Sequence, residues 1–231
     1  MFIGHYAVAL AAKRVAPMTS LGTLFLAAQL ADMLWPVLLL LGWERVRIVG
    51  GPNPFLIFAF DSYPISHSLV TLLVWALLVG VLYRAGTGYA TGAVVLGVCV
   101  LSHWVLDFVT HRPDLPIYPG GPTVGLGLWN SDAGTVLVEG LMFVAGVAIY
   151  LTTTRARSGG GRYGLWALIA LLVLSYGASL VLGPPPSVQA VAIGGIVFGW
   201  LFVAWAAWVD GRRDSAVAAA GGAHAGGAAG P

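Results

Sequence analysis

The sequence predicts an all-α polytopic membrane bundle of about six spans with a short N-terminal helical hairpin. Three observations carry this. Of the 231 residues, 58% are hydrophobic and 9% are charged, against about a quarter charged in a soluble domain. Such a chain cannot cover its surface with polar groups, so its solvent is lipid. Six segments approach the roughly 20 apolar residues that a membrane helix needs: about 20–41, 65–83, 88–110, 132–153, 163–183 and 187–209. Breakers or charges bound them. Arg84 and Gly86 follow the second, TRARSGGGR follows the fourth, and GPPPS divides the fifth from the sixth.

Segment 2–14 reaches only about 20 Å at helical rise, too short to span. It reads as the first arm of a hairpin. Pro17 breaks it, and Thr19 or Ser20 can cap the next helix. A single helical domain is expected over 1–213. The tail, 214–231, is Ala/Gly low complexity that includes His224, and is expected to be disordered. The net charge of +2 and the lack of a basic cluster exclude a nucleic-acid partner. The lone cysteine, Cys99, can form no intrachain disulfide.

Basic residues favour the cytoplasmic side. The loop after the fourth span holds Arg155, Arg157 and Arg162, and the loop after the fifth holds no charge. The first is therefore expected inside and the second outside. Lys13, Arg14, Arg84, Arg212 and Arg213 then fall inside, with the hairpin turn and the C-terminus. Arg45, Arg47 and Arg112 fall outside and oppose the trend. The expected location is a bacterial cytoplasmic (inner) membrane.

This topology sends seven acids and histidines to one level, the outer third of the membrane. His5 and Asp32 lie about 18 Å from the hairpin turn on its two arms. Asp61 and His67 stand at the outer start of the second span. His103 and Asp107 are near the outer end of the third, and Glu139 is about two turns into the fourth. An ionised group at the middle of a span costs about 2.5–3.5 kcal/mol. Several together require mutual neutralisation or a shared cation. Imidazole with carboxylate is a ligand set for zinc, iron or manganese. His103 and Asp107 are spaced i, i+4 and share one helix face. The competing reading is a buried His–Asp hydrogen bond that locks the bundle. His111 and Arg112 read as interfacial. GGPTVGLGLWNS reads as an outer loop over the site, since it lacks a phosphate loop's lysine and preceding strand.

Four motifs occur in order: GHYAVAL, QLADMLWP, SHSL and LSHWVLDFVTH, the last followed by a proline-bearing loop. Over about residues 4 to 120 the set resembles the membrane-bound metal-dependent hydrolase family, the YdjM-like inner-membrane proteins. The resemblance implies a multi-span bacterial protein with a hydrolase site of His and Asp. His5, Asp32, His67, His103 and Asp107 match the family's positions. Leu34 stands where a second aspartate is common. Ser62 stands where the first histidine of a pair is expected, with Asp61 beside it as a substitute. These departures favour one ion with three or four ligands.

The expected function is thus metal-dependent hydrolysis of an amphiphilic or lipid-linked ester, with zinc the first choice of ion. His67, His103 and Asp107 would be ligands, with Asp32 and His5 further ligands or supports. Asp61 or Glu139 would be the general base. The alternatives are a proton- or metal-coupled transporter and a non-catalytic membrane protein. The absence of ionisable residues from the last two spans and of an internal repeat weighs against the transporter.

Overall fold

The computed structural model describes residues 1–215. Helix α1 (Ile3–Ala12) and helix α2 (Leu21–Ala28) form the expected hairpin, and the Ser20 hydroxyl accepts from the Thr23 amide at 3.1 Å to start α2. Helix α3 (Leu30–Leu40) follows after a 58° bend. The expected span 20–41 is therefore a broken one. The break falls at Gln29, and Pro36 lies well inside α3.

An antiparallel hairpin comes next, β1 (Arg45–Ile48) with β2 (Phe58–Ser62). A single turn, α4 (Pro64–His67), precedes α5 (Leu69–Thr87). Ser68 caps α5 through the Thr71 amide, so the helix begins at Leu69 rather than 65 and His67 stands on its own turn. Gly88 ends α5 with φ of +73°, a left-handed conformation that glycine adopts without steric cost. Helix α6 (Ala90–Thr110) leads to a short ladder, β3 (Leu115–Pro116) with β4 (Thr123–Val124). Helix α7 (Asp132–Thr153), β5 (Thr154–Ala156), α8 (Gly159–Val181), α9 (Val188–Asp210) and β6 (Arg213–Ser215) complete the described chain.

Helices α5, α6, α7, α8 and α9 are each long and apolar enough to cross a membrane, and the bent α2–α3 pair makes a sixth by length and composition. The protein is thus an all-α membrane bundle. Its outer surface carries Leu77, Val81, Leu137 and Leu174, each more than 60% exposed. Lipid offers no hydrophobic drive for helices to associate, so close packing must supply the attraction. Glycine allows it. A Cβ on Gly146 would lie 2.5 Å from the Ala7 carbonyl oxygen, and one on Gly22 would lie 2.6 Å from that of Val203. These two contacts lock α1 to α7 and α2 to α9.

A buried polar knot fastens the end of the bundle where α9 stops. Lys13 Nζ donates to Asp210 Oδ2 at 2.6 Å and to the Thr19 carbonyl at 2.9 Å. The Tyr150 hydroxyl donates to Asp210 Oδ1 at 2.8 Å, and the Leu21 amide to Oδ2 at 3.1 Å. One carboxylate ties α1, α2, α7 and α9 together. Asp210 is the last residue of α9, just beyond the expected span. Strand β6 pairs with β5, so Asp214 and Ser215 belong to the fold rather than to the tail. The rest of that tail, 216–231, lies outside the described residues.

Candidate metal centre

Asp107 is the hub. It projects from the last turns of α6, is 2% exposed, and is approached from three sides. His103, one turn earlier on the same face, brings Nε2 to 3.2 Å from Asp107 Oδ2. His67, on the turn before α5, brings Nε2 to 3.9 Å from the same oxygen. His5, on α1, brings Nε2 to 3.2 Å from the other oxygen, Oδ1, and the Met1 nitrogen lies 2.7 Å from it. Asp32, from α3, closes the group. Its Oδ1 is 3.4 Å from His67 Nε2 and 3.7 Å from His103 Nε2. The His5 and His103 rings stack with centroids 3.7 Å apart.

The hydrogen-bond partners fix which imidazole nitrogens carry protons. His103 Nδ1 is 2.8 Å from the Ala28 carbonyl, an oxygen that can only accept. Nδ1 therefore holds the hydrogen, and the neutral ring's lone pair is on Nε2, facing the carboxylates. His67 Nδ1 is 2.7 Å from Ser66 Oγ, whose own hydrogen goes to Glu44 Oε2 at 2.6 Å. Ser66 Oγ thus accepts from His67, and its Nε2 also points a lone pair inward. Both lone pairs face carboxylate oxygens. His103 Nε2 is buried without any hydrogen-bond partner. With both rings neutral, acceptor opposes acceptor, and either a proton on Nε2, donated to the carboxylate, or a shared cation resolves the conflict.

The distances suit one. Two ligand atoms about 2.1 Å from a common tetrahedral ion lie about 3.4 Å apart. The imidazole–carboxylate separations among Asp32, His67, His103 and Asp107 run from 3.2 to 3.9 Å. The donor atoms also sort into two triads, His5–His103–Asp107 and Asp32–His67–His103. Both use His103, whose single free nitrogen can serve one ion at a time.

The sequence-selected residues do not all arrive. His5, Asp32, His67, His103 and Asp107 converge. Glu139 comes close in a different capacity. Its Oε2 accepts from the Phe2 amide at 2.8 Å and the Gly4 amide at 3.3 Å, capping α1 from across the bundle. It also lines the cavity that Asp32, His67, Asp107 and His111 line. Asp61 stays outside. The β1–β2 hairpin sets it against Arg47, which donates from Nε at 2.7 Å and from Nη2 at 2.8 Å. That guanidinium holds the Asp61 carboxyl below its ordinary pKa. A carboxylate so paired is a poor proton acceptor, so the expected substitute for the absent histidine is corrected.

Three residues of the site gave no clear signal in the sequence. Glu44, 1% exposed, accepts from the Ile65 amide, the Ser66 amide and the Ser66 hydroxyl. Ser66 passes that order to His67. His111 is buried rather than interfacial, with Nδ1 2.9 Å from Asp114 Oδ1 and Nε2 4.0 Å from Asp107 Oδ2. Burial lowers its pKa, against the pull of Asp114. The loop 120–131 does cover the site, through Trp129, whose ring centroid is 4.1 Å from that of His111.

Partners that fix a ligand's tautomer set metal affinity by about 10–100-fold. Ser66→Ala should weaken metal binding by about that factor, measured by competition with a chelating dye. A purely structural Ser66 would lower thermal stability and leave the affinity unchanged.

Comparison of the chain with family models, with curated proteins and with solved structures finds no match. The resemblance to the membrane-bound hydrolases therefore stands on the motif residues alone.

Proposed function

We propose that this protein is a metal-dependent hydrolase embedded in a bacterial inner membrane, acting on an amphiphilic or lipid-linked ester with zinc as its ion. The observation that supports this is the opposition of imidazole lone pairs and carboxylate oxygens around Asp107, with both Nδ1 hydrogens already committed elsewhere. His67, His103 and Asp107, all buried, would hold the ion. The Asp32 side chain, 41% exposed, faces the cavity and would complete the ligand set. His5 supports Asp107 through its second oxygen. A bound divalent ion lowers the pKa of a water to about 7 and polarises the scissile carbonyl or phosphoryl oxygen.

The chain's own residues do the rest. Glu44 and Ser66 orient His67, and the Ala28 carbonyl orients His103. Trp129 screens the loop side. Glu139 is the proton acceptor that fits best. Its Oε2 takes the Phe2 and Gly4 amides, and the residue lines the cavity together with Asp107 and His67. Glu139→Gln keeps an oxygen on the α1 amides and removes the base. It should lower hydrolysis by about 10²–10⁴-fold with metal content and stability unchanged. Glu139→Leu should also lose the cap, at about 1 kcal/mol. Unaltered turnover in Glu139→Gln would leave Glu139 as a cap alone.

The test of the whole reading is metal analysis of chelator-free protein, followed by assay on a panel of phospholipids and lipid esters before and after chelation. About one zinc per chain and zinc-restored release of a headgroup or acid are expected. Metal-free protein from gentle purification would refute it.

The arginine pattern puts the site on the outer side. In a Cys99→Ser background, Gly159→Cys and Gly211→Cys should resist an impermeant thiol reagent in intact cells, while Pro184→Cys should react. The reverse pattern would turn the site to the cytoplasm.

A further inference from the structure

A second, larger cavity begins at the metal centre and runs away from it. Its volume is about 780 Å³, within the 300–1,000 Å³ of small-molecule sites. It shares Phe2, Asp32, Trp35, Ile57, Phe58 and Ser179 with the cavity over Asp107 and His67. The two spaces therefore meet at Asp32. From there the walls are α3, the last turns of α8 and the first turns of α9.

The helices leave this space because α8 and α9 pack closely at the end away from the loop that connects them. Near Gly164 they touch. A Cβ there would lie 2.5 Å from the Trp208 ring, and Trp205 Nε1 donates to the Gly164 carbonyl at 3.1 Å. Toward that loop a Cβ on Gly194, which lines the cavity, would meet nothing within 4 Å. Leu182 and Phe198, which line the cavity there, are 78% and 48% exposed, so it opens to lipid. The lining is otherwise apolar except near the centre. There Gln29 Oε1 and Trp35 Nε1 are buried without partners. One is an acceptor and the other a donor, and both line this cavity.

From this shape and chemistry we infer that the cleft between α3, α8 and α9 binds the acyl chain of a membrane glycerolipid, with the lipid's polar group held at the Asp32 end. Water in a cleft this apolar makes few hydrogen bonds, and the phase at its mouth is the bilayer itself. A hydrocarbon chain fills it without stranding polar groups of its own, while Trp35 offers its N–H to an ester or phosphate oxygen. The placement of the polar group rests on the proposed hydrolase centre, whereas the chain cleft stands on its own geometry.

The test uses full-length protein in vesicles that contain a phosphatidylethanolamine with a diazirine in one acyl chain. After irradiation, adducts are mapped by mass spectrometry. Met33 and Phe198, which line the cleft, should be labelled well above Val173 and Leu201, which do not. Gly194→Phe places a ring into open space within the cleft and should cut that labelling about tenfold, a loss of about 1.4 kcal/mol in binding. Gly177→Phe, in open space outside the cleft, should not. Labelling of Met33 and Phe198 no greater than that of Val173 and Leu201, or unchanged by Gly194→Phe, would overturn the inference. Metal content is read on the same samples. Selective labelling in metal-free protein would refute the hydrolase and keep the chain cleft. Bound metal without selective labelling would do the opposite.

Discussion

Asp107→Ala should lose its metal altogether, along with all metal-dependent hydrolysis, while the protein still inserts. Asp107 is the one carboxylate within 4.0 Å of four imidazoles. Its removal takes a ligand from His67 and His103 together and frees the oxygen that His5 supports. Altering a residue that only orients a ligand costs about 10–100-fold in affinity, so deleting the shared ligand exceeds that range. A metal bound only by the native state also stabilises it. Wild-type protein should therefore melt lower after chelation, and Asp107→Ala should melt at one temperature with or without chelator. Metal analysis and paired melting curves check this. Retention of one equivalent of metal by Asp107→Ala would place the ion elsewhere.

Lys13→Met should cost the fold about 3–5 kcal/mol, because it leaves Asp210 buried without its counter-charge. In a chain of this size that is about 10 °C of melting temperature. The metal should stay bound, since the knot sits at the other end of the bundle. The double variant Lys13→Met, Asp210→Leu should recover only part of the loss. It removes the unpaired charge but strands the Leu21 amide and the Tyr150 hydroxyl, each at about 1–3 kcal/mol. Thermal melting with metal analysis on the same samples separates the two ends. A Lys13→Met protein as stable as wild type would show the pair to be dispensable.

The candidate site was partly legible for a physical reason. A bilayer gives every span the same axis, so hydropathy and helical rise fix the depth of a residue without knowing its neighbours. Depth was enough to group His5, Asp32, His67, His103, Asp107 and Glu139. The i, i+4 spacing was enough to put His103 and Asp107 on one face. Depth does not give azimuth. Asp61 has the right height, but the β1–β2 pairing turns it onto Arg47. His111 reads as interfacial because it follows a span, and it is buried because the Trp129 loop folds over it. Glu44 sits beside arginines in the loop after α3, where nothing local points to His67. Only the path of the chain from α3 to α4 sets it against Ser66.

The sequence by itself determined that this is a helical membrane protein, where its main spans lie, and which polar residues share a level. Those properties follow from composition and from one-dimensional distance along helices. The tertiary structure decided the break at Gln29, the knot of Lys13, Tyr150 and Asp210, the proton placement on His67 and His103, and the cleft between α8 and α9. Each of these depends on contacts between residues far apart in the chain, set by how helices rotate and tilt as they pack. Hydropathy carries no information about rotation, and helices in lipid choose their partners through close glycine contacts such as Gly146 on Ala7 and Gly164 on Trp208.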